Sequence, residues 1–180
     1  YRFNRQTDSL VKMVDNPEFS IGSRFNDGKC GPDGCLWVGT YAEDKKQCAL
    51  YRVGDGKIEK MLDGVTNSNG IAWSPDGKRM YYIDTPTRTV QAFDFDAAQG
   101  TISNGKVTIT IPEEYGNPDG STIDSEGNLW IGHWGGTYVT KWNPESGAFL
   151  GKVKVPAEHV TSVAFGGENL DTLFITTVSA

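Results

Sequence analysis

Three short segments of this chain place an oxygen-bearing side chain beside a glycine: Asn26-Asp27-Gly28, Ser68-Asn69-Gly70 and Pro118-Asp119-Gly120. Amide and carboxylate oxygens are hard donors. Brought to one point from separate parts of the chain, they suit a hard divalent cation such as Ca²⁺ or Mg²⁺. The first segment is the most polar. In "RFNDGK", residues 24–29, Arg24, Asn26, Asp27 and Lys29 surround a single large apolar side chain, Phe25. A hairpin needs only one Asn or Asp and one Gly, and those dipeptides are the commonest turn formers. Each segment alone is therefore explained by turn chemistry. Only a fold that gathers all three makes them a site.

The elements that would do so are β-strands. No 12-residue window shows the apolar spacing of a long helix, whereas alternating or short apolar runs recur throughout: "CLWVGTY", "CALYRV", "RMYYID", "TVQAFDF", "NLWIGHW", "TLFITTV". A larger unit repeats. "DGKCGPDGCLWVGT" from Asp27, "NGIAWSPDGKRMYYIDT" from Asn69, "DGSTIDSEGNLWIGHW" from Asp119 and "TSVAFGGENLDTLFITT" from Thr161 share one plan. Each has a polar start, a short strand, a glycine turn and an aromatic-rich strand. Two further strands follow each of the first three units. Four strands recurring at this interval predict β-propeller blades. The expected layout is two outer strands in 1–15, complete blades near 24–63, 67–112 and 117–155, and two inner strands near 160–178. The innermost strand of a blade lines the central channel, so the three polar segments are expected to converge at one channel mouth. The sixteen strands could close as four blades or form part of a larger ring.

Composition narrows the function classes. The net charge of −6 arises from 17 basic and 23 acidic residues without a basic run, which argues against a nucleic-acid partner. No apolar stretch approaches the ~18–20 residues of a membrane helix, and no membrane partner is expected. No signal peptide is visible from Tyr1 onward, so the expected location is cytoplasmic, with a targeting segment upstream left open because the chain does not begin with Met. Cys30, Cys35 and Cys48 have no nearby histidine, and structural cysteines are expected in place of a zinc site, with one short-loop disulfide as the alternative.

Together "SRFNDGK", "SNGIAWSPDGKRMYYIDT", "VQAFDFD", "PDGSTIDSEGNLWIGHWGG" and "TSVAFGG", in this order, resemble the gluconolactonase/regucalcin family, also called the senescence-marker-protein and luciferin-regenerating family. The resemblance runs from about Tyr1 to Thr177. It implies an all-β, six-bladed propeller, of which residues 1–180 would be one partial propeller domain with about four blades' worth of strands. It also implies a divalent-metal-dependent lactonase acting on a sugar lactone such as gluconolactone, with Ca²⁺ the expected ion and Zn²⁺, Mg²⁺ or Mn²⁺ as alternatives. By the same resemblance Asn69 and Asp119 match metal ligands, and Arg24 and Asn26 match substrate-binding residues. Asp119 would also take a proton from the attacking water. The family's "GE(G/S)P" glutamate has no counterpart here: Glu18 follows Pro17 without that context. After "GT" the chain continues with Tyr41, and Glu43 or Asp44 is the candidate for a further substrate contact. A non-catalytic Ca²⁺-binding or scaffold propeller is the alternative reading. The oligomeric state is left open.

The remaining polar and aromatic residues receive structural expectations. Asp27 is expected to orient Arg24, and Lys29 to reach solvent or a neighbouring blade. His133 is expected to be structural in a second strand, and His159 to lie in a loop. Trp37, Trp73, Trp130 and Trp142 are expected between blades, with Trp134 walling the pocket. No G-x-S-x-G elbow supports a serine hydrolase.

Overall fold

The structure is a computed structural model that describes residues 1–43 and 47–178. It is an all-β propeller segment. Sixteen strands, β1–β16, are described, and the helical content among the described residues is three single turns of 3₁₀ helix. None of these helices is long and apolar enough to cross a membrane.

The first hairpin pairs β1 (Arg2–Asn4) with β2 (Ser9–Val11). Three antiparallel four-stranded blades follow. The first blade comprises β3 (Arg24–Cys30), β4 (Leu36–Tyr41), β5 (Cys48–Gly54) and β6 (Lys57–Val65). The second comprises β7 (Ser68–Trp73), β8 (Arg79–Asp84), β9 (Thr89–Asp96) and β10 (Thr101–Thr110). The third comprises β11 (Asn117–Ile123), β12 (Leu129–Trp134), β13 (Tyr138–Asn143) and β14 (Ala148–Lys154). A closing pair, β15 (His159–Gly166) with β16 (Thr172–Val178), joins the third blade through one paired position, Trp134 opposite His159. The expected blade limits agree with these strands to within a few residues. His159 departs from expectation: it opens β15 and is not in a loop, because its ring stacks on Trp134.

The core lies between blades, as ridges of aromatic and aliphatic side chains from facing sheets. Trp37, Trp73 and Phe95 pack edge-to-face with ring centroids 5.6–6.0 Å apart, between the first and second blades. Trp142 sits among Ile109, Ile111 and Tyr115 between the second and third. Trp130 packs on Phe165 beyond the third. Inner turns place Gly34, Gly77 and Gly127 at φ of 75°, 68° and 83°, a region glycine enters without penalty. The turn aspartates recur as locks. Asp33 accepts from Trp37 Nε1 and Arg52 Nε, and Asp124 accepts from Trp130 Nε1 and pairs with Lys141. Cys30, Cys35 and Cys48 are free thiols.

Candidate functional site

The innermost strands of the three blades carry the same irregularity. Each has a ladder pair just before it: Phe25 opposite Thr40, Ser68 opposite Asp84, and Pro118 opposite His133. In each the register then shifts, with two residues on the inner strand facing one on the second. Such a bulge bends the strand and re-aims the side chain on it, which is why bulges gather beside active sites. The ladder makes Asn26, Asn69 and Asp119 equivalent, one per blade. This corrects the alignment expected from the glycines, which set Asp27 beside Asn69 and Asp119. Asp27 instead occupies the second bulge position, where the other blades have Gly70 and Gly120. Those two glycines permit close approach: a Cβ on Gly70 would lie 2.9 Å from the Asp119 carbonyl oxygen, and one on Gly120 would lie 2.6 Å from Ser162 Oγ.

The three bulges open on one cavity of about 570 Å³, lined by Arg24, Asn26, Asn69, Asp119, Trp134 and Ser162 among others. Arg24, Asn26, Asn69 and Asp119 are thus brought together as expected. A chain of hydrogen bonds links the blades. Arg24 Nη1 donates to Asn26 Oδ1, and Asn26 Nδ2 lies 2.9 Å from Asn69 Oδ1 and 2.8 Å from the Ser68 carbonyl. Asn69 Nδ2 donates to Thr85 Oγ1, whose own proton goes to the carbonyl of Pro118, next to Asp119. Asn69 is buried and held at both ends of its amide. The Arg24 guanidinium lies over the Tyr41 ring at 4.9 Å.

Charge at the site is unbalanced. Burial, and then the negative charge of Asp27, push the Asp119 carboxyl up to about 7, against a hydrogen bond from the Gly120 amide. Burial also raises Asp27, which accepts from the amides of Gly28 and Gly70 and feels the charge of Lys29. Asp27 therefore does not orient Arg24, whose donors go to Asn26 and the Phe25 carbonyl. Lys29 corrects its expectation too. Its ammonium crosses the channel and donates to the Ser121 carbonyl of the third blade at 2.7 Å, and burial lowers its pKa.

Glu43 is exposed and is not one of the described residues that line the cavity: β4 ends at Tyr41 and Ala42 turns inward to the core. Asp44 lies outside the described residues. His133 is structural as expected, buried with Nε2 2.6 Å from Thr140 Oγ1. Tyr41, Asn67, Thr85, Asn117, Thr161 and Ser162 also line the cavity and were not singled out from the sequence. The signal for several of them lay in the repeat. Asn67 and Asn117 sit one residue before Ser68 and Pro118, as Arg24 sits one residue before Phe25 in the first blade.

The donors present fit a hard cation. Asn69 and Asp119 offer an amide and a carboxylate oxygen from adjacent blades, while the Asn26 side-chain oxygen at the equivalent position of a third accepts from Arg24. No group of three or more His, Cys, Asp or Glu is gathered among the described residues, so the set is oxygen-only and rich in amide.

The pattern of the SMP-30/Gluconolactonase/LRE-like region matches residues 1–179. The chain is 40% identical to a putative sugar lactone lactonase, YvrE, of Bacillus subtilis, covering 99% of this chain and 62% of that protein. It is 38% identical to regucalcin of Sus scrofa, covering 96% and 60%. Among solved structures, a calcium-binding protein, regucalcin, from Agrobacterium tumefaciens superposes with a TM-score of 0.90 at 29% identity, over 97% of this chain and 60% of that one. A luciferin-regenerating enzyme gives 0.86 at 43% identity, over 92% and 57%. The chain thus spans about three fifths of the length of these proteins. It belongs to the SMP-30/gluconolactonase/LRE-like family.

Proposed function

We propose that the full-length protein is a lactonase that opens the ring of a sugar lactone, of which glucono-1,5-lactone is the representative, with a divalent ion held by Asn69 and Asp119. The observation that carries this reading is the convergence of Asn26, Asn69 and Asp119 from three bulges on one cavity, with the Asp119 carboxyl lacking a cationic partner among the described residues. When bound, such an ion supplies Lewis-acid polarisation of the ester carbonyl and makes water at the site more acidic.

The chain's own residues do the rest. Arg24 keeps guanidinium donors beyond those used on Asn26 and Phe25, and these reach the ring oxygen or hydroxyls of a lactone in the cavity. The Arg24–Asn26–Asn69 hydrogen bonds fix that donor relative to the ligand oxygens, so the ester is presented in one orientation. Asp119 lines the cavity beside Asn69 and is, in this reading, the acceptor of the attacking water's proton. Attack forms a C–O bond to the carbonyl carbon and breaks the ring ester C–O bond. One water proton passes to Asp119 and on to the ring oxygen that leaves as a hydroxyl, and the product is the open aldonic acid.

The test is hydrolysis of glucono-1,5-lactone by the full-length protein, stripped with chelator and then given Ca²⁺, Zn²⁺ or Mn²⁺. The expected result is a rate that returns with the ion and is lost in Asp119→Ala. A full rate in chelator, or one unaffected by that substitution, overturns the proposal. A second reading is favoured by the calcium-binding regucalcin neighbour: the same oxygens bind Ca²⁺ without turnover. Saturable Ca²⁺ binding with no lactone hydrolysis selects it.

A further inference from the structure

Trp134 stands apart from the other tryptophans. Trp37, Trp73 and Trp142 are no more than 7% exposed, and Trp130 is half-buried between sheets, but Trp134 is 41% exposed and lines the cavity. Its indole is not loose. The imidazole of His159 stacks behind it, with ring centroids 4.2 Å apart and planes 14° from parallel. These two residues are also the one ladder pair joining β12 to β15, so backbone and rings hold the same seam. His159 keeps Nδ1 buried without a hydrogen-bond partner among the described residues. An orphaned polar atom carries a desolvation cost, and against it stands the ring's stacking on Trp134.

The aromatic is placed by the blade repeat. Asn117 pairs with Trp134 as Arg24 pairs with Tyr41, which sets a ring on two sides of the cavity. The Tyr41 face is covered by the Arg24 guanidinium. Trp134 is thus the more exposed ring in a cavity otherwise lined mostly by hydroxyls, amides and carboxylates, Asn117, Asp119, Thr161 and Ser162 among them. One aromatic plate within a polar rim fits a ligand with an apolar face and a hydroxylated edge. A sugar ring has this form, with axial C–H bonds above and below and hydroxyls around it. The electron-rich face of the indole attracts such polarised C–H groups, and an indole pinned from behind gives up little entropy on contact.

Resting on the lactonase reading for the identity of the ester, we propose that Trp134, held by His159, is the stacking platform for the C–H face of the sugar ring. Trp134 is then a residue that selects sugar lactones, and His159 is a positioning residue acting through it.

Two measurements on the full-length protein test this. In steady-state hydrolysis of glucono-1,5-lactone, Trp134→Ala raises KM by about tenfold while kcat changes less than about twofold, in keeping with the loss of one aromatic stacking contact. Trp134→Phe recovers most of that KM, and His159→Ala raises it by about two- to threefold. In a binding assay, D-glucopyranose, which has the ring and no ester, gives a saturable change in tryptophan emission that is absent in Trp134→Phe. An unchanged KM in Trp134→Ala, with turnover intact, overturns the platform and leaves the lactonase reading standing. A Trp134-dependent response to glucopyranose in a protein without lactone turnover supports the platform and overturns the lactonase reading. Neither turnover nor an emission response overturns both.

Discussion

Asp119 lies within the inner strand of the third blade and Asp124 follows its last residue, five positions on, and their surroundings are opposite. Asp124 takes hydrogen bonds from the Asn128 amide and Trp130 Nε1 and an ion pair from Lys141. Burial alone would raise its carboxyl, but Trp130, Lys141 and Asn128 together outweigh it and pull the group down to about 2. Asp119 has burial, a second carboxylate nearby and one amide, and it rises to about 7. One aspartate is satisfied by its own blade and closes a turn. The other is left in need of positive charge at a place where three blades meet. Unpaired, half-buried charge is destabilising, and it persists where something outside the fold completes it.

The comparison breaks most sharply by substitution. Asp119→Asn is expected to lower lactone turnover by about a thousandfold, on the order of 4 kcal/mol of transition-state stabilisation, and to leave the melting temperature in chelator unchanged or raised. Asp124→Ala is expected to do the reverse. It removes three polar partners at once and destabilises the fold by about 2–3 kcal/mol, with kcat per folded molecule preserved. Urea unfolding and steady-state rates on both variants decide the matter, and equal losses of stability in the two would remove the distinction. Added Ca²⁺ gives a related contrast. At a hundred times its Kd it stabilises the parent protein by about 2.7 kcal/mol, and Asp119→Asn should lose this shift in a thermal melt while Asp124→Ala keeps it.

The role of Asp124 was not legible in the sequence, whereas the blades and the gathering of the site largely were, and the failures have physical causes. The blades were legible because glycine turns followed by aromatic strands repeat in register, and each part is a local property. Arg24, Asn26, Asn69 and Asp119 could be placed together because the repeat puts inner strands around one channel. The alignment slipped by one residue in the first blade. Asx-Gly strings align on glycine, whereas the ladder equates the residues at each bulge, and a bulge depends on pairing with the next strand. Lys29 was illegible for a related reason. Its partner, the Ser121 carbonyl, is 92 residues away and across the channel, and no local pattern encodes that contact. The pinning of Trp134 by His159 joins two elements through a single pair, so His159 read as loop until β15 was seen to begin there.

His133 extends the comparison to a group that becomes positive. It sits opposite Pro118, next to Asp119, fully buried, with Nε2 on Thr140 and Nδ1 without a partner among the described residues. Burial, and then the charge of Arg88, lower it from about 6.5 to about 4. The folded state thus favours neutral imidazole. As pH falls below about 6.5 the unfolded chain takes up this proton while the folded chain does not until about 4, so the stability from neutral His133 is complete above 6.5 and is lost between those values. At pH 5 the loss is about 2 kcal/mol relative to pH 7.5. Asp124 has a depressed carboxyl, so its contribution lasts to lower pH and fades only as pH falls from the ordinary aspartate range through about 2. Acid should therefore loosen the channel wall at His133 before it loosens the turn at Asp124. Urea unfolding at pH 7.5 and 5.0 checks this order. Asp119, whose raised carboxyl takes up its proton in the folded chain before the unfolded one, works in the opposite sense over the same range, so the readout is the variant against the parent. The stability of His133→Gln relative to the parent should rise by about 2 kcal/mol between pH 7.5 and 5.0, and no such change would assign the acid sensitivity to another group.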